Sequence, residues 1–387
     1  MLKILHKFII FISLYVFISS SIRGCTITID GKELNYESSY FINEDSQFNE
    51  GDRTSSSLYD IGILVHNAKL TITNGRRISK EVESSSLKNE IKDEETFLQS
   101  DDYKYGLTSN IVAIGPNAIV TIESSTIYVN CPFSNGIVAL DHARIVLRNT
   151  TVITKSKYSK GIVSMYYSHF EIFDESKIYT EGYLSPCLEV NKDQGNIVAG
   201  NVILTSLGEG SPLLNNEGNG QIQIYSGTGK AENSQIIIIK GNNNIELYEC
   251  TFNGNGKTTN NDNNNYNNGG IILYKSDESN SFIATLKLNN CNINIDNIEN
   301  QNFPLFSCYN IEADITLDNT QTSFNQYFMM ARKTEESLIN TKINLNIVNL
   351  AIEGEIIADG LSQINIKAKD DLINNIQIKG NVIINSE

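Results

Sequence analysis

One phrase recurs along this chain and limits what it can fold into. The stretches "NAIVTIESSTI" (117–127), "HARIVLRNTTV" (142–152) and "EADITLDNTQT" (312–322) each hold a small residue, apolar residues two and four places later, and a small residue three places beyond. The same template starts at Ala68, Ala118, Ala143, Ser168, Gly195, Gly220, Asn243, Ala284, Ala313, Thr341 and Ser362, with Cys25 as a further instance. From Ala118 to Asn243 the starts lie 25, 25, 27, 25 and 23 residues apart, which is the signature of a structural repeat. Alternating apolar residues mean a strand with one buried face. A second short strand precedes each template: "NIVAI" (110–114), "GIVAL" (136–140), "GIVSM" (161–165) and "CLEV" (187–190).

Each repeat therefore holds three short strands. A circuit of roughly 25 residues is too short for a βαβ unit at about 3.3 Å per strand residue, and no helical period fills the gaps. The spacing predicts an all-β coil whose strands pair with their equivalents one turn later, so that the alternate apolar side chains stack in one core. Parallel crossovers are overwhelmingly right-handed. The expected fold is a right-handed parallel β-helix of 11–12 coils, with a β-sandwich as the competing all-β arrangement.

With its stacked apolar positions and coil length, the chain resembles the right-handed parallel β-helix of the pectin-lyase-like superfamily over roughly residues 60–385. The resemblance implies polysaccharide lyases and hydrolases, whose sites use clustered acidic calcium ligands with an arginine base, or paired Asp motifs with "GHG" and "RIK". None of these motifs is present; "ALDHARI" (139–145) supplies only Asp141 and His142, which read as a turn. Calcium-binding nonapeptide repeats are also missing, and His66, His142 and His169 sit at unequal offsets from the template's small residue, so no metal and no cofactor is expected.

If the template's apolar residues point inward, the residues between them face out and stack into columns about 4.8 Å apart. One column runs from Lys69 through Ile119, Arg144, His169 and Asn196 to Asp314, Lys342 and Gln363, and a second places Thr316 beside Asn344. Glu123, Arg144, Arg148, His169 and Glu171 fall on three successive coils of one face. Arg144, His169 and Glu171 are the weak catalytic candidates, suited to an acidic sugar, while the plainer reading is an exposed ion-pair ladder, Glu123 to Arg148 and Arg144 to Glu171. Phe173, Tyr225 and Tyr248 form a partial aromatic column suited to sugar stacking, with Gly200 leaving a gap after Phe173. Cys250 and Cys291 occupy the same small slot in neighbouring coils, which predicts a Cys250–Cys291 contact, either a disulfide or a pair of stacked reduced thiols.

The ends and insertions organise the rest. Residues 1–24 carry Lys3 and Lys7, an apolar run and small residues, the layout of a secretory signal peptide, so a secreted chain is expected. Residues 25–60 are expected to cap the helix, and 61–387 to form it, with insertions at 76–108, including a short helix over Leu87, Ile91 and Phe97, and at the Asn-rich 253–270. Asn149 is the usable glycosylation sequon. A net charge of −15 without clustered Lys and Arg argues against nucleic acid as a partner, and no later stretch is apolar enough for a membrane span.

Together these features predict a non-catalytic extracellular or cell-surface binding or structural module, with polysaccharide or cell-surface glycan as the partner. The alternative is a degenerate polysaccharide lyase or glycoside hydrolase. A third reading, an ice-binding face over "LTIT" (70–73), fails because Thr does not persist along the columns.

Overall fold

The computed structural model describes residues 25–29, 32–36, 38–48, 52–56, 60–82, 94–256, 268–275, 283–295, 303–333, 339–369 and 375–386. The expected signal peptide, Leu87 and Ile91 of the expected helix, and positions 257–267 of the Asn-rich loop lie outside them.

The chain winds into a parallel β-solenoid of about 11 turns with about 26 residues per turn. Among the described residues, an upstream sheet and a template sheet each hold 13 strands and a third sheet holds 10. The template strands Ile119–Glu123, Arg144–Arg148 and His169–Phe173 pair in parallel without a gap, Ile119 opposite Arg144 and Arg144 opposite His169. The upstream strands Ile111–Ile114, Ile137–Leu140 and Ile162–Ser164 do the same one layer away.

Inside, equivalent residues stack. Val120, Ile145, Phe170, Ile197, Ile222, Ile245, Leu286 and Ile315 form one continuous column through successive coils, all fully buried. Each such side chain stabilises by about 1.5–3 kcal/mol.

The corner between template and third sheets turns on left-handed residues, two at Asn74–Gly75 and at Asp174–Glu175 and one in most other coils. Ser124, Asn149, Asn201, Ser226, Glu249, Asn290 and Asn319 all have φ between 45° and 56°. Short polar side chains tolerate this region best, which explains the polar residue just before the template's small slot. The slot itself is buried and its hydroxyls bond inward: Thr150 Oγ1 donates to the Ile122 carbonyl at 3.0 Å, and Thr320 Oγ1 to the Leu288 carbonyl at 3.1 Å. A serine ladder seals the corner before the upstream sheet, with the Ser159 amide donating to Ser185 Oγ at 2.9 Å and the Ser185 amide to Ser211 Oγ at 2.8 Å.

Two expectations need correction. Cys25 does not open a coil: Cys25–Ile29 pairs antiparallel with Lys32–Tyr36. The first coil strands come after that hairpin, beginning with Ser38–Ile42, which pairs in parallel with Ile61–His66. The columns also slip by two residues at Lys342–Val348, where Glu312 faces Lys342 and Asp314 faces Asn344. A two-residue slip keeps every side chain on its own face, so the apolar pattern of Ile343, Leu345 and Ile347 fits both registers.

The first insertion forms α1 (Glu94–Gln99) and α2 (Asp101–Lys104). Phe97 of α1 is buried edge-on against Phe133, with ring centroids 4.9 Å apart. Tyr105 and Leu107 continue from α2 onto the outer face of the upstream sheet, where Leu64, Val112, Ile114, Val138, Leu140, Val163 and Met165 form a second apolar cluster. One face of the solenoid is thus covered at its N-terminal half.

Candidate functional site

The sequence-predicted residues meet in three places. Arg144 donates from Nε and Nη2 to Glu171 Oε1 at 2.9 and 2.6 Å, and His169 Nε2 lies 3.2 Å from the same oxygen. Arg148 does not turn to Glu123; it pairs with Asp174 at 2.9 Å, and its guanidinium lies 5.5 Å from the Phe173 ring centroid. The left-handed corner at Asp174 swings that carboxylate toward the template strand, which column spacing alone does not disclose. With Arg144 half-exposed, this is a surface ladder worth under about 1 kcal/mol per pair.

Phe173 leans over Gly200, where an added Cβ would meet Phe173 Cδ1 at 3.1 Å. Tyr225 and Tyr248 stack with centroids 5.0 Å apart and planes 7° apart, and Tyr248 donates to Glu246 Oε2 at 2.9 Å.

Cys250 and Cys291 occupy equivalent slots, since Tyr248 faces Asn289 and Thr251 faces Asn292. Both are free, buried thiols, and they make the inward bonds that Thr makes elsewhere: Cys250 Sγ to the Ile224 carbonyl at 3.6 Å and Cys291 Sγ to the Leu247 carbonyl at 3.4 Å. The adjacent Cys291 thiol and burial push the Cys250 thiol up. Asn149 stands exposed at its corner, its amide donating to Ser124 Oγ at 3.3 Å. The histidines have separate partners, His66 with Asn67, His142 with Asp141 and His169 with Glu171.

A groove of about 500 Å³ lies elsewhere, on the outer face of the upstream sheet just beyond the covered cluster. The outward column there reads Val112, Val138, Val163, Glu189, Asn215, Ile238 and Ile272. The three valines belong to the cluster under the insertion; Glu189, Asn215, Ile238 and Ile272 line the groove. Glu189 is only 2% exposed, so its charge needs compensation. Lys160 supplies it as an ion pair, Asn191 Nδ2 donates to Oε1 at 3.0 Å, and Asn215 Nδ2 donates to Oε2 at 3.0 Å. The same Asn215 nitrogen donates to Glu217 Oε1 at 3.0 Å, and Glu217 in turn faces Lys240 at 3.7 Å. Burial by itself lowers the Lys160 pKa, but Glu189 and then Tyr103 outweigh it, so the ammonium is held charged.

The walls are aromatic. Tyr274 and Tyr309 stack at one end, with centroids 5.0 Å apart and planes 16° apart. Tyr103 of α2 stands at the other, its ring centroid 5.5 Å from Lys160 Nζ. Burial pushes all three phenols up, so they remain O–H groups at neutral pH. None of these residues was a sequence candidate. The available signal was the valine run at outward positions of "NIVAI", "GIVAL" and "GIVSM", which a solvent-facing column does not carry, followed by Glu in "CLEV".

No family model, curated protein or solved structure matches the chain.

Proposed function

We propose that the chain is a secreted, non-catalytic β-helix that binds carbohydrate at the cell surface or in extracellular matrix, and that it is a non-enzymatic relative of the pectin-lyase-like superfamily. The superfamily reading rests on coil length and stacking, and secretion on residues 1–24. The observation that carries the binding reading is the groove, where tyrosine walls flank a floor whose charges are already paired. Aromatic faces beside fixed polar groups are what a sugar ring needs, since its two faces are apolar and its rim is hydroxyl.

One observation favours the hydrolase alternative. Glu189 and Glu217 share the Asn215 amide through two 3.0 Å bonds, which holds the bonded oxygens within about 6 Å, close to the separation retaining glycosidases use. Against it, Glu189 is almost fully buried and both its oxygens are engaged. A glycan array followed by calorimetry on its hits tests binding, and a reducing-sugar assay on the same hits tests hydrolysis. Tyr274→Ala should weaken binding at least about tenfold with no sugar released. An unchanged affinity would refute the groove, and turnover lost in Glu217→Gln would establish the alternative.

A further inference from the structure

We infer that the groove selects neutral, hydroxyl-rich oligosaccharides and rejects uronate and sulfated glycans; this rests on the groove being the glycan site. Asn215 is 8% exposed and lines the floor. Which way an amide points is often ambiguous, but here both neighbours are carboxylates, Glu189 and Glu217, and a carboxylate only accepts. The NH₂ must face them, which leaves Oδ1 as the free end. That oxygen has no hydrogen-bond partner among the described residues and almost no solvent-accessible surface, so it lies beneath the floor and the amide serves to hold the two carboxylates together.

The rim of the groove asks for donors. The acceptor open to a ligand is the carboxylate of Glu217, which is about a third exposed and lies 3.7 Å from the Lys240 ammonium. Lys160 is committed to Glu189. Among the described residues lining the groove, no cation is left over for a ligand carboxylate or sulfate. An acidic sugar would bring acceptors to acceptors and negative charge to a pair of carboxylates, in a chain of net charge −15. A sugar hydroxyl donates to the Glu217 carboxylate, and protonated Tyr274 and Tyr309 can either accept from or donate to its neighbours on the ring. This reverses the preference expected of the Arg144 face, where an acidic sugar was the natural partner.

The test uses the full chain against two panels at equal ionic strength. One holds neutral hexasaccharides (gluco-, manno-, xylo- and N-acetylglucosamine oligomers), the other oligogalacturonate, alginate and heparin fragments. The expected result is binding confined to the neutral panel, weakened at least about tenfold by Asn215→Asp, which replaces the amide bridging Glu189 and Glu217 with a third carboxylate. Should that variant fail to fold, Glu217→Gln serves instead; it removes the acidic rim, and the neutral hit should weaken about threefold or more while oligogalacturonate gains measurable affinity. A tightest ligand that is acidic and lost in Tyr274→Ala overturns this inference but leaves the groove as the glycan site. A neutral ligand insensitive to Tyr274→Ala overturns both.

Discussion

Glu246 offers a stability test whose size follows from its neighbours. It projects from the outer face of Asn244–Tyr248 with its side chain 11% exposed. Four groups donate to its carboxylate: Gln223 at 3.0 Å, Asn244 at 3.1 Å, Tyr248 at 2.9 Å and Lys287 at 3.1 Å. Burial acts to raise its pKa, but the bonds from Asn244, Lys287, Gln223 and Tyr248 prevail and hold it at about 2 against an ordinary 4.5. A gap of about 2.5 pH units at 1.36 kcal/mol each corresponds to about 3 kcal/mol. Because the folded value lies below the unfolded one, the unfolded chain takes up the proton first as pH falls. The contribution is complete above about pH 4.5 and is lost as pH falls through about 2. Glu246→Gln keeps the shape but turns an NH₂ toward groups that are themselves donors, and should lower stability at pH 7 by about 2–3 kcal/mol. Urea denaturation followed by circular dichroism and tyrosine absorbance reads this, the chain having no Trp. The gap between wild type and variant should close as pH drops from 5 to 2. A gap that stays constant with pH, or one under about 0.5 kcal/mol at pH 7, would refute the account of the four donors.

Two further expectations concern buried groups. Cys250→Ser should change stability by under about 1 kcal/mol, because the hydroxyl can take over the bond to the Ile224 carbonyl, whereas Cys250→Val, which removes that bond, should cost about 1–2 kcal/mol. Equal costs for the two, measured by thermal denaturation, would show that the slot selects for size alone. Lys80 is fully buried, bonded to the Asp60 and Thr108 carbonyls, and burial pushes its pKa down to about 8 although Cys131 and Asp60 act the other way. Between about pH 8 and 10.5 the unfolded chain keeps a proton that the folded chain has released, so stability relative to Lys80→Met should rise with pH across that window. A flat difference in urea denaturation would mean that Lys80 stays charged when buried.

The fold was legible because a solenoid writes its contacts into its period. Val120, Ile145 and Phe170 each declare an inward face by alternation, and the 25-residue spacing then states which residues stack. That logic read the columns correctly from Lys69 to Asp314 and failed at Lys342, since alternation fixes the face of a strand and leaves a two-residue shift undetermined. Cys25 failed for a related reason: "CTITI" alternates as a coil strand does, and nothing local tells a parallel partner from the antiparallel one at Lys32–Tyr36.

The groove is a different kind of object. Lys160 comes from a corner, Glu189 and Asn215 from strands, Tyr274 from beyond the Asn-rich insertion and Tyr103 from α2, so no short stretch of sequence contains it. In a stacked fold, though, a site is a break in a column. The outward valines at 112, 138 and 163 are tolerable only if something covers them, and the insertion that ends at Tyr105 and Leu107 does. One coil further the column turns to Glu189, a charge too deeply buried to stand without Lys160 and Asn215. Where a cover ends and a compensated charge begins, the regular solenoid has been departed from at a cost in stability, and it is there that binding should be sought.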